Sequence, residues 1–333
     1  MSKVAIVGVT TWGITLGLLA GRSTADQVSI LTRTKSETSD LVAENECSRF
    51  LPGIKFPENF LITHDPQIAI NNTEVVILAV PSHSFRHNLV RIKDVLPSGS
   101  ILVSATKGLE MPGRFRMTEI VAQEVSSDVS QNMCVISGPN LAKEIVMGKP
   151  SSSVIASHNP YNSGFVRDIL MQSTFRIYTS EDVIGVELCG TLKNIIAIGA
   201  GIVDGLGLGD NAKAAYLTRG IAEITRLGAK LGAYPSTFAG LAGVGDIVAT
   251  SFSELSRNRY VGEQIALGKN VDQIISSMQN VVEGIDTTKA ALELGSDAGV
   301  ELPITETISK ILFHGMSPDQ GITELMSRRP TSE

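Results

Sequence analysis

Five short runs dominated by Val, Ile and Leu recur along the first half of the chain: KVAIVG at 3–8, VSILT at 28–32, VVILAV at 75–80, ILVSAT at 101–106 and MCVIS at 133–137. Nearly unbroken apolar strands belong to a parallel sheet covered on both faces, since a half-exposed strand would alternate with polar residues. Enough chain separates successive runs for a crossover helix, and right-handed crossovers then give a doubly wound sheet. Two further runs, SSVIAS at 152–157 and FRIYTS at 175–180, extend it. From about Gly185 the period becomes helical, with Leu217, Ile221, Ile224 and Leu231 on one face, and Asp210 is placed to cap the helix that begins there. The expected fold is α/β. A doubly wound sheet over residues 1–185 precedes a second, all-α domain over 186–333, which suits a chain of 333 residues.

Charge and cysteine usage narrow the function. With 28 Lys and Arg against 34 Asp and Glu, the chain lacks the clustered positive charge that a nucleic-acid backbone requires. Cys47, Cys134 and Cys189 are odd in number and show no CxxC spacing, so neither a disulfide framework nor a zinc site is expected, and a reducing, cytoplasmic location is. His83 and His87 stand one helical turn apart without a third ligand motif, so no metal is expected. Gly8, Thr10, Thr11 and Gly13 interrupt the apolar stretch that follows Lys3, and no membrane span is expected; IIAIGAGIV at 195–203 fits a buried element.

The first strand runs into Gly8-Val9-Thr10-Thr11-Trp12-Gly13, where a Rossmann-type dinucleotide fingerprint would lie. In GxGxxG the first glycine makes the turn, the second admits the pyrophosphate and the third lets helix pack on strand. Gly8 and Gly13 fill the first and third places, while Thr10 replaces the second. Its Cβ should push the pyrophosphate outward, and the hydroxyls of Thr10 and Thr11 are available as compensating donors. An ordinary strand-turn-helix bend would carry the same two glycines. After the second strand come Arg33, Thr34 and Lys35, with no carboxylate before Glu37. That pattern favours NADPH, whose 2′-phosphate would meet Arg33, over NADH. A cation there can also stack on adenine without rejecting NADH.

Six separated motifs carry the other half of the reading: ATKGLE at 105–110, SGPNLAKE at 137–144, CGTLKNIIAIGAGI at 189–202, GLAGVGDIVAT at 240–250, SRNR at 256–259 and VVEG at 281–284. Together with GDNAKAAYLTRGIAEITRLG at 209–228, their order and content resemble the bacterial-type NAD(P)-dependent glycerol-3-phosphate dehydrogenases over residues 3–325. The resemblance implies reversible reduction of dihydroxyacetone phosphate, a phosphorylated triose, to sn-glycerol 3-phosphate, feeding glycerophospholipid synthesis. It leaves room for a homodimer.

Reducing a ketone by hydride transfer leaves an alkoxide, which needs a proton donor and fixed positive charge, and the substrate phosphate needs its own cationic clamp. Lys193, in a segment otherwise too apolar to want a lysine, is the expected acid; a lysine of ordinary pKa, near 10.4, is a competent donor to an alkoxide. Lys107 follows a buried strand at its carboxyl end, where open α/β sheets bind ligands, and by resemblance touches both substrate and nucleotide. Asp246 can orient a lysine and accept from a substrate hydroxyl. Arg257 and Asn258, with Ser256, offer a planar fork, an amide and a hydroxyl to the phosphate, and by resemblance Arg257 also meets the nucleotide. Gly138 and Asn140 are assigned to the substrate, Asn140 standing where the family more often carries Ser or Thr. Trp12, Thr34, Ala142, Val281 and Glu283 are cofactor neighbours by resemblance. Two alternatives stand beside this reading: a related NADP-dependent hydroxy-acid dehydrogenase, and a catalytically silent nucleotide-binding protein, motivated by Thr10.

Overall fold

A computed structural model describes residues 2–278 and 282–329. The chain divides into two compact units, Met1–Glu187 and Leu188–Glu333, the division falling inside the long helix Val183–Gly205.

The first unit is built on eight strands: β1 (Ser2–Val7), β2 (Ala25–Leu31), β3 (Phe60–Thr63), β4 (Val75–Leu78), β5 (Ile101–Ser104), β6 (Met133–Ser137), β7 (Ser151–Ala156) and β8 (Phe175–Ser180). They form one sheet in the order β3-β2-β1-β4-β5-β6-β7-β8. Strands β1 to β6 run parallel to one another; β7 is antiparallel to β6, and β8 is parallel to β7. The reversal at β7 departs from a purely parallel sheet. The connection between β6 and β7, residues 138–150, holds only the five-residue helix Ala142–Val146, too short to span the sheet as the helices between the parallel strands do. The short strand β3, FLIT, whose apolar run is only three residues long, escapes the sequence reading.

Both faces of the sheet are covered. On one, Ile6, Ile30 and Ile77 pack against Ile14 and Leu18 of the helix Thr11–Arg22; on the other, Val7, Leu78 and Leu102 pack against Phe85 and Leu89 of the helix Ser82–Ile92. Alternate residues of each strand therefore feed different clusters, which is why the strands read as continuous apolar runs. Strand order reverses on either side of β1, so the carboxyl ends of β1 and β4 form the switch point at which such sheets bind ligands.

Among its described residues the second unit is helical and contains no strand. Its central helix, Val183–Gly205, is long and apolar enough by length and composition to cross a membrane, which the sequence reading did not anticipate; 94% of an apolar 18-residue stretch within it is buried inside the fold. It is close-packed by glycine. A Cβ on Gly201 would strike the Arg259 carbonyl and one on Gly262 the Ile198 carbonyl, so this helix and Arg257–Ala266 meet backbone to backbone. The helix Asp210–Lys230 begins at Gly209, which adopts φ 84°, and Asp210 is its first helical residue rather than its cap.

Candidate functional site

The nucleotide end of the first unit lies at the β1/β4 switch point. Gly8 turns with φ 117°, and a Cβ there would sit 2.7 Å from the Ala79 carbonyl oxygen. At Gly13 a Cβ would come 2.5 Å from the Gly8 carbonyl oxygen, so both glycines are required by the packing of turn on strand. Thr10 caps the helix Thr11–Arg22: its hydroxyl accepts from the Gly13 N–H at 3.0 Å and donates to the Ala79 carbonyl at 2.8 Å. Its one hydroxyl proton is thus directed at the end of β4, whereas the sequence reading makes it available to a pyrophosphate. Beside it, the buried Trp12 Nε1 has no hydrogen-bond partner.

Arg33 lies beyond β2 with its side chain 73% exposed, and Thr34 caps the following helix, accepting from the Glu37 N–H at 3.2 Å. Glu37 folds back, accepting from the Arg33 backbone N–H at 2.8 Å and standing 3.7 Å from its guanidinium. A capped helix N-terminus, two close-packing glycines, an orphaned indole donor and a solvent-facing guanidinium fit a dinucleotide.

Further along the same edge, Lys107 follows β5 and donates to the Gly138 carbonyl at 3.3 Å. Gly138 turns with φ 143°, a Cβ there lying 3.1 Å from Ser153 Cα, so its missing side chain accommodates β7. Asn140 donates from Nδ2 to Ser153 Oγ at 3.1 Å, and Ser153 Oγ donates to the Ser137 carbonyl at 2.9 Å. With its only proton directed to Ser137, the Ser153 oxygen can only accept, which fixes the amide orientation. Asn140 Oδ1 is then buried without a partner and presents an acceptor where the family's hydroxyl could also donate. Ala142 opens the short helix that follows.

In the second unit Lys193 and Asp246 are both buried, and Lys193 Nζ stands 2.6 Å from Asp246 Oδ1. Lys193 also donates to Thr250 Oγ1 at 2.6 Å, and that hydroxyl donates to Asp246 Oδ1 at 3.1 Å, closing a triangle. Asp246 begins the helix Asp246–Phe252 directly after a π-helical turn, Leu241–Gly245, and Thr250 follows one turn later. Buried charges need partners, and here carboxylate and hydroxyl keep an ammonium inside the protein. Thr250 was missed in the sequence; its position four residues after Asp246 is the signal that could have found it.

Ser256 caps the helix Arg257–Ala266, accepting from the Arg259 N–H at 3.2 Å, which sets the exposed Arg257 and the first-turn backbone N–H groups at the positive end of that helix. Asn258 differs from expectation. Its Nδ2 donates to Asn194 Oδ1 at 2.9 Å and its Oδ1 accepts from the Gly284 N–H at 3.1 Å, so its amide braces neighbouring helices. Asn194 Nδ2 in turn reaches Glu283 at 3.5 Å, linking the residue beside Lys193 to the predicted cofactor neighbour Glu283. Asn194, like Thr250, was not identified in the sequence. Val281 lies outside the described residues.

The free cysteines Cys47, Cys134 and Cys189 are all buried, and burial pushes the Cys134 thiol up to about 12. Cys134 is thus a neutral packing residue, without thiolate character.

Comparison with known proteins follows the same division of the chain. Residues 3–163 match the family model for the N-terminus of NAD-dependent glycerol-3-phosphate dehydrogenase, and residues 182–323 match the model for its C-terminus. A glycerol-3-phosphate dehydrogenase [NAD(P)+] of Dehalococcoides mccartyi is 44% identical, the alignment covering 100% of this chain and 93% of the relative. One from Pelotomaculum thermopropionicum is 41% identical over 99% of this chain and 95% of its own. The crystal structure of the Coxiella burnetii glycerol-3-phosphate dehydrogenase superposes with TM-score 0.91 at 34% identity, covering 98% of this chain and 99% of that one.

Proposed function

The chain belongs to the NAD-dependent glycerol-3-phosphate dehydrogenase family, and from that premise we propose how its residues divide the work of the reaction. The enzyme is an oxidoreductase that interconverts dihydroxyacetone phosphate and sn-glycerol 3-phosphate with NADH or NADPH, supplying the backbone of glycerophospholipids. The bound nicotinamide nucleotide supplies or removes the hydride.

Lys193 is the acid for the nascent alkoxide and, deprotonated, the base for the reverse reaction. Asp246 aims its ammonium, and Thr250 fixes the same nitrogen from a second side. Lys107 adds positive charge from the end of β5. Asn140 Oδ1 accepts from a substrate hydroxyl. Arg257, Ser256 and the helix N-terminus that begins at Arg257 take the phosphate; in the clamp Asn258 contributes through this turn while its side chain positions Asn194. Gly8, Thr11, Trp12, Gly13, Arg33, Thr34, Ala142 and Glu283 are assigned to the nucleotide, with NADPH favoured through Arg33. A cytoplasmic location is part of the proposal, as is a homodimer, for which the exposed Val248, Phe252 and Leu255 offer apolar surface; sedimentation analysis tests the latter.

The observation that carries this reading is the buried Lys193–Asp246–Thr250 triangle, with its 2.6 Å ion pair. Replacing Lys193 by Ala should lower turnover of dihydroxyacetone phosphate by roughly 10²–10⁴, the range for losing a general acid, while the nucleotide Kd stays nearly unchanged. Near-parental kcat in that variant would remove Lys193 from the mechanism. Rapid oxidation of NADPH by a different keto acid, with none by dihydroxyacetone phosphate, would favour the related hydroxy-acid dehydrogenase. Nucleotide binding with no turnover of any ketone would favour the silent binder.

A further inference from the structure

We propose that Arg86 and Glu110 are positioning residues that set the reach of Lys107, an inference that rests on the assignment of Lys107 to the substrate site. Arg86, on the helix Ser82–Ile92, grips Glu110 with a two-pronged fork: Nε donates to Oε1 at 2.8 Å and Nη2 to Oε2 at 2.7 Å. Its remaining edge donates to Glu124 at 2.5 Å, Nη2 also reaches Gln123 Oε1 at 2.7 Å, and Lys93 meets Glu124 at 3.3 Å. Two cations thus face two carboxylates. The Arg86 guanidinium holds the Glu124 carboxyl below the usual carboxylate range.

Glu110 lies three residues beyond Lys107, and the loop between them has little freedom. Before Lys107, Thr106 Oγ1 donates to the Val80 carbonyl at 2.7 Å. After it, Gly108 turns with φ 132°, so close to the Arg86-bearing helix that a Cβ would lie 2.6 Å from Ser82 Oγ. Beyond that turn the Glu110 N–H donates to the Phe115 carbonyl at 2.9 Å. Lys107 is therefore strung between two anchors, of which the outer is the Arg86 fork.

The cluster is built to align. Arg86 and Glu110 side chains are 28% and 18% exposed, so the pair is mostly withdrawn from water. A bidentate guanidinium–carboxylate pair is the most directional contact available to two side chains. At an active site, a displacement on the order of 1 Å is enough to cost up to about a hundredfold in rate.

A double-mutant cycle on the full chain, reading kcat/KM for dihydroxyacetone phosphate, tests the proposal. Lys107→Ala must first lower kcat/KM; if it does not, the assignment of Lys107 fails and this proposal fails with it. Given that loss, Glu110→Gln, which keeps the shape and removes one prong and the charge, should lower kcat/KM about tenfold in the parent. In the Lys107→Ala background the same change should cost less than about twofold, because its effect runs through Lys107. Equal losses in the two backgrounds, or no loss in the parent, overturn the proposal while leaving Lys107 in place. Arg86→Lys, which keeps the charge and cannot form the fork, should reproduce the pattern, and the cycle is read with it if Glu110→Gln does not fold.

Discussion

Lys193 shows how much a residue's meaning depends on partners distant in the chain. The sequence marks it as a lysine in an apolar helix; the Asp246 carboxylate and Thr250 hydroxyl that make it tolerable there come from a helix more than fifty positions later. Thr10 makes the converse case. Its departure from the glycine fingerprint is plain in the sequence, yet its role as a cap donating to Ala79 emerges only when β1 and β4 lie side by side. Arg33 is intermediate, since its charge is legible and its engagement with Glu37 follows from local helix geometry. Removing it should change cofactor choice modestly, because a guanidinium so exposed is worth about 1 kcal/mol toward a 2′-phosphate after solvent screening. Arg33→Ala is expected to lower the ratio of kcat/KM for NADPH to that for NADH by about fivefold, and an unchanged ratio would show that Arg33 does not discriminate.

At the scale of elements, apolar runs predict strands well where the sheet is covered on both sides and poorly at its margins. β3 is only partly buried at three of four positions, and its apolar run, Phe60 to Ile62, is too short to announce a strand. The antiparallel β7 could not be distinguished from a parallel strand by pattern, since direction depends on the connection and not on the strand. Helix ends behave similarly. Glu223, in the helix Asp210–Lys230, reaches the N-terminus of the helix Pro303–Phe313, accepting from the N–H groups of Ile304 and Thr305 at 2.8 and 2.9 Å and from the Thr305 hydroxyl at 2.7 Å. It acts as a cap supplied from elsewhere in the fold, invisible to rules that look one or two residues upstream. Glu223→Gln turns one acceptor into a donor facing a backbone N–H, and should cost about 1–3 kcal/mol in a denaturant titration. A loss within error would mean that the two backbone donors are satisfied without the carboxylate.

For the whole molecule, the switch from strand-forming to helix-forming pattern was legible because the two units bury their residues differently: sheet strands on two faces, helices on one stripe or, for Val183–Gly205, all around. Binding energy from the nucleotide belongs to this scale too. At about a hundred times its Kd, NADPH should stabilise the folded enzyme by roughly 2.7 kcal/mol, seen as a raised thermal midpoint, and Lys193→Ala should retain that protection. Loss of protection in the variant would place Lys193 in nucleotide binding. The sequence alone determined the doubly wound sheet, the helical second half, the family and the chemical identity of the proposed acid and phosphate ligands, because these depend on local periodicity and on motifs only a few residues long. The tertiary structure decided what each polar atom is engaged with: the Thr10 hydroxyl with Ala79, the Asn258 amide with Asn194 and Gly284, the Arg86 fork with Glu110. Hydrogen bonds and ion pairs act over about 3 Å, and residues far apart in sequence come within that distance only through the packing of the folded chain.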